Sequence, residues 1–405
     1  MNLREQINNI KIIDQHIHAL DYLQWMRGTG KYPWPEALAH LPVPTPLTTL
    51  PQAKAMFTVY REVYGFPYST LTPENIKKLD ELYLKAQDDE ASLWDKVLKL
   101  ANIESVVEVN QDNLELPPKL DPQRYKLAPM VDGLLVPLDN TEMKKSFSPL
   151  VVTFFTMYEA FLKNVRGQQK INSFKDYLNF ISSVLQKTRE QGGVCLKMNY
   201  AYWRDIAIEV VSKEEARDIF ESKDTRPVRY KRLQDYILWY IISKSADYDL
   251  PVQVHTGGTS VPHSMEEINP ARLDSFLMLP EIKKAKVVLL HGGYPFCREA
   301  GFMVSRSNAP NLYLDISAIW WEHYSSPRGL VGTLREWLEM GIAEKLLYGS
   351  DSATPLRFLI GAINIREGLY LALKGMIDDG MIDENQALSI ARMVLRENAK
   401  KLYKM

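Results

Sequence analysis

Cysteine is almost missing from this 405-residue chain, which carries only Cys195 and Cys297. That excludes a Cys-rich zinc site and a disulfide framework, and it suits a reducing, cytoplasmic compartment. Long apolar runs are missing as well. No stretch of about 18 apolar residues is present to span a bilayer, and Met1–Asn8 leads into no apolar segment of the signal-peptide kind. Charge of one sign is lacking too. The 49 Lys and Arg residues against 50 Asp and Glu residues leave a net charge of −1, which gives no electrostatic reason to expect nucleic acid or an anionic membrane as partner. No Gly-x-Gly-x-x-Gly follows a strand, which disfavours nucleotide-dependent redox chemistry. A small-molecule partner remains, and self-association into a homo-oligomer stays open.

With 46% hydrophobic and 24% charged residues, the chain has the composition of a globular protein with a sizeable core. Eight short apolar runs read as strands: Ile10–His18, Ile103–Asn110, Tyr125–Asp132, Gly193–Met198, Pro251–Thr256, Lys286–His291, Asn311–Ser317 and Lys345–Asp351. They show little alternation, as strands buried on both faces of a parallel sheet do. Helical spacing separates them, as in Ser173–Gln191, Arg232–Ala246 and Leu330–Met340, the last stopping at Gly341. Asn269-Pro270 and Ser326-Pro327 read as helix starts. Eight alternations predict an α/β fold, a (β/α)8 TIM barrel occupying residues 1–405 as a single domain. Two stretches exceed a minimal barrel. The Pro- and aromatic-rich insertion 19–95 follows strand 1, with Thr72-Pro73 as a helix start, and a helical insertion containing Leu150–Val165 follows strand 3. Both would rise from the face where barrel active sites lie, either as a lid or cap or as a side subdomain or oligomer contact.

The chemistry-bearing residues stand where these strands end. Asp14, His16 and His18 share one strand face, because alternate residues point the same way. Strand five ends at His255, strand six at His291-Gly-Gly and strand eight at Asp351. Four of the seven histidines occupy such places, and in a barrel they converge on one mouth. Imidazoles with a carboxylate suit Zn2+, one ion or two, with Mn2+, Fe2+ or Ni2+ as further choices.

Asp14-x-His16-x-His18, a His after strand five, a His after strand six and an Asp after strand eight together resemble the amidohydrolase superfamily of metal-dependent hydrolases. The resemblance is closest in its amidohydrolase 2 branch. His291-Gly-Gly-Tyr-Pro-Phe-Cys-Arg-Glu-Ala-Gly, Asn311-Leu-Tyr-Leu-Asp-Ile-Ser and Leu395–Tyr403 are similar to the amidohydrolase-like domain of nodulin and glutamine-synthetase fusion proteins. The resemblance implies that His16, His18 and Asp351 bind metal, with Asp351 also shuttling the proton. It implies that His255 is a ligand, and that His291 either ligates or polarises the substrate carbonyl. Lys197 ends strand four, where some members carry a carbamylated lysine bridging two metals. Alternatively it binds a substrate carboxylate as a cation, or it reaches solvent. The implied activity is hydrolysis of a C–N (amide) bond in a small, carboxylate-bearing substrate. A decarboxylase or uronate-type isomerase on the same site is the second reading, and a non-catalytic metal-bearing protein the third.

Around this set, Tyr200, Tyr202 and Arg204 either clamp an anionic substrate, since Arg pairs bidentately with carboxylates, or pack their loop. Tyr294 and Arg298 carry the same alternatives. Asp14 and Asp315 read as carboxylates that orient ligands or as satisfied structural groups. Cys195 reads as core filling. His263 and His323 sit in loops that could meet substrate, and His40 receives no role.

Overall fold

A computed structural model describes residues 1–18, 54–118, 120–258, 264–317 and 327–405. His40, His263, His323, Ser326 and the first half of the predicted lid lie outside the described residues. The strands are β1 (Ile12–Ile17), β2 (Ile103–Asn110), β3 (Tyr125–Pro129), β4 (Leu196–Met198), β5 (Val252–Val254), β6 (Val287–Leu289), β7 (Leu312–Asp315) and β8 (Leu346–Leu347). The chain divides into two compact units, residues 1–106 with 316–400 and residues 107–315 with 401–405. The division runs through β2.

In the first unit, β1 is buried along its whole length, as an apolar run without alternation predicts. It runs parallel to the segment leaving β8, through the bridge Ile17–Ser352. Gln15 N donates to Tyr348 O at 3.1 Å and His18 N to Ser352 O at 2.9 Å. Ile12 N reaches Asn102 O, at the entry to β2, at 3.0 Å. Helices Lys54–Tyr64, Pro73–Ala86 and Glu90–Leu100 precede β2. Thr72 starts the second of them as its sequence predicts: its hydroxyl accepts from Asn75 N, and proline fills the first turn. The 24-residue helix Pro355–Asp378 carries the buried Arg366, whose guanidinium donates to Ile10 O and Ala101 O at 2.9 Å each. A buried cation is tolerated there because carbonyls leaving neighbouring elements take its protons.

In the second unit, β4, β5, β6 and β7 pair in parallel in that order. β3 joins β4 through the parallel bridges Leu127–Gly193 and Met130–Lys197. Helix Phe174–Glu190 has the predicted start, a capping box between Ser173 and Asp176. Helix Pro227–Ser245 begins five residues earlier than its apolar spacing suggests, because Pro227 supplies the first turn. Helix Pro149–Arg166, capped by Ser148, contains the predicted segment 150–165. Asn269 caps only a short 3-10 turn, Pro270–Leu273. Cys195 is fully buried, as core filling requires.

The α/β reading with parallel strands holds. Seven strands, all but β2, are shorter than their apolar runs, and past β3, β4, β5, β6, β7 and β8 the ladder stops while the side chains are still buried. The difference matters, because several candidate ligands lie just past the strands rather than within them.

Candidate metal centre

In the first unit, β1 and the β8 exit bring three predicted ligands together. His16 Nε2 stands 3.0 Å and His18 Nε2 3.2 Å from the same Asp351 Oδ1. The strand period places both rings on one side, at 4.9 Å between centroids and nearly perpendicular. His16 is fully buried and His18 only partly. Asp351 lies four residues beyond β8 in left-handed backbone, φ 52°, with its N–H bound to His16 O at 2.9 Å. Asp14, fully buried, accepts from His16 N at 3.2 Å and Ser350 N at 2.9 Å.

The second unit holds the other predicted ligands. His255, one residue past β5, and His291, two past β6, place Nδ1 and Nε2 2.9 Å apart. Both are buried, each 3% exposed. His291 has φ 62°, and its N–H donates to Asp315 Oδ1 at 2.7 Å. The loops after β5 and β6 approach closely at Gly257, where φ is +73° and a Cβ would meet Tyr294 O at 2.4 Å. No other residue type fits that contact.

Lys197 lies within β4 and is 1% exposed, which overturns the reading of its ammonium as reaching solvent. Its neighbour in charge is Asp132, a residue the sequence reading missed. Asp132 is fully buried and both its oxygens lie 2.8 Å from Asn199 N. Burial pushes its carboxyl up to about 7, with the Asn199 N–H and the Lys197 charge pulling it back. Its signal in the sequence was that of Asp351, an aspartate at the end of an apolar run.

The predicted substrate residues part company. Tyr202 sits beside His255, with ring centroids 4.5 Å apart, and Phe154 meets its other side at 5.1 Å. Tyr200 is buried, its hydroxyl bound to Ile206 O at 3.1 Å. Arg204 is buried and pairs with Asp235, and it also donates to Ala207 O at 3.0 Å and Asp205 O at 3.2 Å. For Tyr200 and Arg204 these contacts correct the substrate-clamp expectation in favour of loop packing, since a guanidinium engaged on this many sides has little left for a ligand. Tyr294 is half-buried beside the His291 turn, and Arg298 is exposed on helix Cys297–Ser305.

The donor set suits a borderline dication. Two imidazole nitrogens aimed at one carboxylate oxygen can all be satisfied by hydrogen bonds only if both rings carry their proton on Nε2. A cation satisfies all three as they stand.

The family model described as Amidohydrolase matches residues 215–405, a span that includes His255, His291 and Asp351. Protein fluG of Emericella nidulans is 23% identical over the whole of this chain, which spans about half (47%) of that relative's length. Among solved structures, a Lactobacillus casei protein provisionally described as a metal-dependent hydrolase superposes with a TM-score of 0.69 at 19% identity, covering 100% of this chain and 97% of that one. Uronate isomerase from Thermotoga maritima gives 0.67 at 15% identity, covering 99% and 96%, and glucuronate isomerase from Caulobacter crescentus 0.69 at 17%, covering 99% and 93%. At these identities the likeness concerns the fold. No described helix is long and apolar enough to cross a membrane. The match over residues 215–405 agrees with the resemblance carried by the strand-end motifs.

Proposed function

We propose that this chain is a metal-dependent hydrolase of the amidohydrolase type, cleaving the C–N (amide) bond of a small, carboxylate-bearing substrate. The observation that carries the reading is the convergence of His16 and His18 on one oxygen of Asp351. The roles follow the resemblance residue by residue. His16, His18 and Asp351 hold the metal, His255 and Lys197 extend the ligand set, and His291 ligates or polarises the substrate carbonyl. Zn2+ fits the donors best, with Mn2+, Fe2+ or Ni2+ as substitutes. When bound, the ion supplies Lewis acidity and an activated water at neutral pH. Asp351 accepts and returns the proton through its carboxylate, and the His291 ring orients the substrate carbonyl. Tyr202, Tyr294 and Arg298 contact substrate. The resemblance also supports a single (β/α)8 barrel domain over 1–405, and the length of the stretches after strands 1 and 3 supports the two insertions. The few cysteines, the balanced charge and the lack of long apolar runs support a cytoplasmic enzyme without nucleic acid or membrane partners, with homo-oligomerisation open.

A uronate-type isomerase is the second reading. Asp132 beside Lys197 favours it, because the Lys197 ammonium draws the raised Asp132 carboxyl back toward its ionised form, an ion pairing that a carbamate would lose. The decarboxylase alternative likewise needs no carbamate. Zinc- and manganese-loaded protein assayed on acyl-amino acids, γ-glutamyl amides and uronates separates these readings. Turnover of amides alone upholds the first, and turnover of uronates alone replaces it.

A further inference from the structure

Three aspartates share one arrangement that the reading above does not use. Asp14, Asp132 and Asp315 are each 0% exposed. Each lies in or just past an odd-numbered strand, β1, β3 and β7. Each carboxylate accepts the backbone N–H of a residue that has just left the neighbouring even-numbered strand. Asp14 takes Ser350 N at 2.9 Å beyond β8, Asp132 takes Asn199 N at 2.8 Å beyond β4, and Asp315 takes His291 N at 2.7 Å beyond β6. The donor in every case is a predicted ligand or stands within two residues of one: Asp351, Lys197 and His291.

A strand exit is where an N–H loses its ladder partner, and a buried N–H needs another. A neutral side chain could supply an acceptor without the cost of burying a carboxylate. What the carboxylate adds is a shorter, stronger, more directional bond. That matters here because two of these exits turn into left-handed backbone at non-glycine residues, His291 (φ 62°) and Asp351 (φ 52°). Such conformations persist only where the surroundings hold them. We propose that Asp14, Asp132 and Asp315 are positioning residues, fixing the strand-exit backbone so that Asp351, Lys197 and His291 are aimed before metal or substrate arrives.

This inference rests on the proposed metal-dependent function, and its test separates the two. Asp315 is the position to change, since its partner is itself a predicted ligand. Wild type, Asp315→Asn and Asp315→Ala are compared without metal by amide hydrogen exchange, then titrated with Zn2+ against a competing chelator. Asn keeps an acceptor at the same reach but gives up the charge that strengthens the bond, so its zinc affinity should fall between those of wild type and Ala. Ala should lose about 10–100-fold, as ligand-supporting groups do, and should expose the His291 amide to faster exchange while helix Pro227–Ser245 exchanges as before. Should the Ala variant fail to fold, Asp315→Ser, whose hydroxyl stops short of His291 N, takes its place with the same expectation. Wild-type zinc affinity and wild-type protection of His291 in a folded Ala or Ser variant would overturn the inference. So would an Asn variant as impaired as Ala, which would make charge rather than the N–H bond the cause. If wild type itself takes up no zinc, the proposed function fails, and the exchange of His291 still judges the inference alone.

Discussion

Arg204 is held by Asp235, a buried cation against a fully buried anion. Asp235 also receives Lys231 Nζ at 2.8 Å and Glu209 N at 3.3 Å, so the pair anchors the loop after β4 to helix Pro227–Ser245. Removing one partner of a buried pair leaves the other charged in a poor dielectric, which costs about 3–5 kcal/mol. Arg204→Ala should lose near the lower end of that range, because Lys231 still faces Asp235. Urea unfolding measures it, and the double variant Arg204→Met, Asp235→Leu should recover part of the loss. An Arg204→Ala protein with unchanged stability and a raised KM would restore the substrate role.

Asp351 is the residue through which the proposed chemistry is most directly tested. Asp351→Asn keeps an oxygen at the same reach but accepts a proton poorly. The variant should retain much of its zinc, measured by metal analysis after gel filtration, while kcat on the reactive substrate falls by about 10²–10⁴-fold, the usual contribution of a positioned acid–base group. Unaltered turnover would remove Asp351 from its assigned role.

What the sequence made legible was local or periodic. The helix beginning at Ser173, the helix start at Thr72-Pro73 and the apolar runs of the strands are all written in adjacent residues. The meeting of His16, His18 and Asp351 was legible because a strand period and a strand end can both be read directly. What escaped depends on partners far apart in sequence. Arg204 looked like an anion clamp because Asp235 lies 31 residues on, and nothing beside Arg204 announces it. The solvent alternative for Lys197 stayed open because its burial and its neighbour Asp132 come from the pairing of β3 with β4. The left-handed turns at His291 and Asp351 escaped for a related reason: neither residue type asks for φ > 0, and tertiary hydrogen bonds impose it.

Metal binding should be visible as stability. A ligand that binds only the folded state adds about 2.7 kcal/mol when present at 100 times its Kd. Zn2+ or Mn2+ should therefore raise Tm of the metal-free protein, and a chelator should reverse the rise. His18→Ala removes one of the two imidazoles aimed at Asp351 Oδ1, from a ring that is partly exposed, so its own cost to the apo fold should be small. The expected result is an apo Tm close to wild type with most of the metal-induced rise gone. A His18→Ala protein stabilised by metal as fully as wild type would take His18 out of the ligand set.

Glu104 and Arg396 form a two-point ion pair in the first unit, with Glu104 Oε2 2.6 Å from Nε and Oε1 2.8 Å from Nη2. The hydrogen bonds from Arg396 hold the Glu104 carboxyl below its ordinary value of 4.5 against a smaller opposing effect of burial. A carboxylate lowered in the folded state stabilises the fold above its unfolded pKa, and that contribution is lost as pH falls through the folded value. Both side chains are partly exposed, so the effect is limited to about 1 kcal/mol. Glu104→Gln should therefore lower the urea midpoint at pH 7, and the gap from wild type should close as pH falls below 4.5 and through the lowered folded value. A gap that stayed constant over that interval would mean that the substituted amide disrupts packing rather than an ion pair.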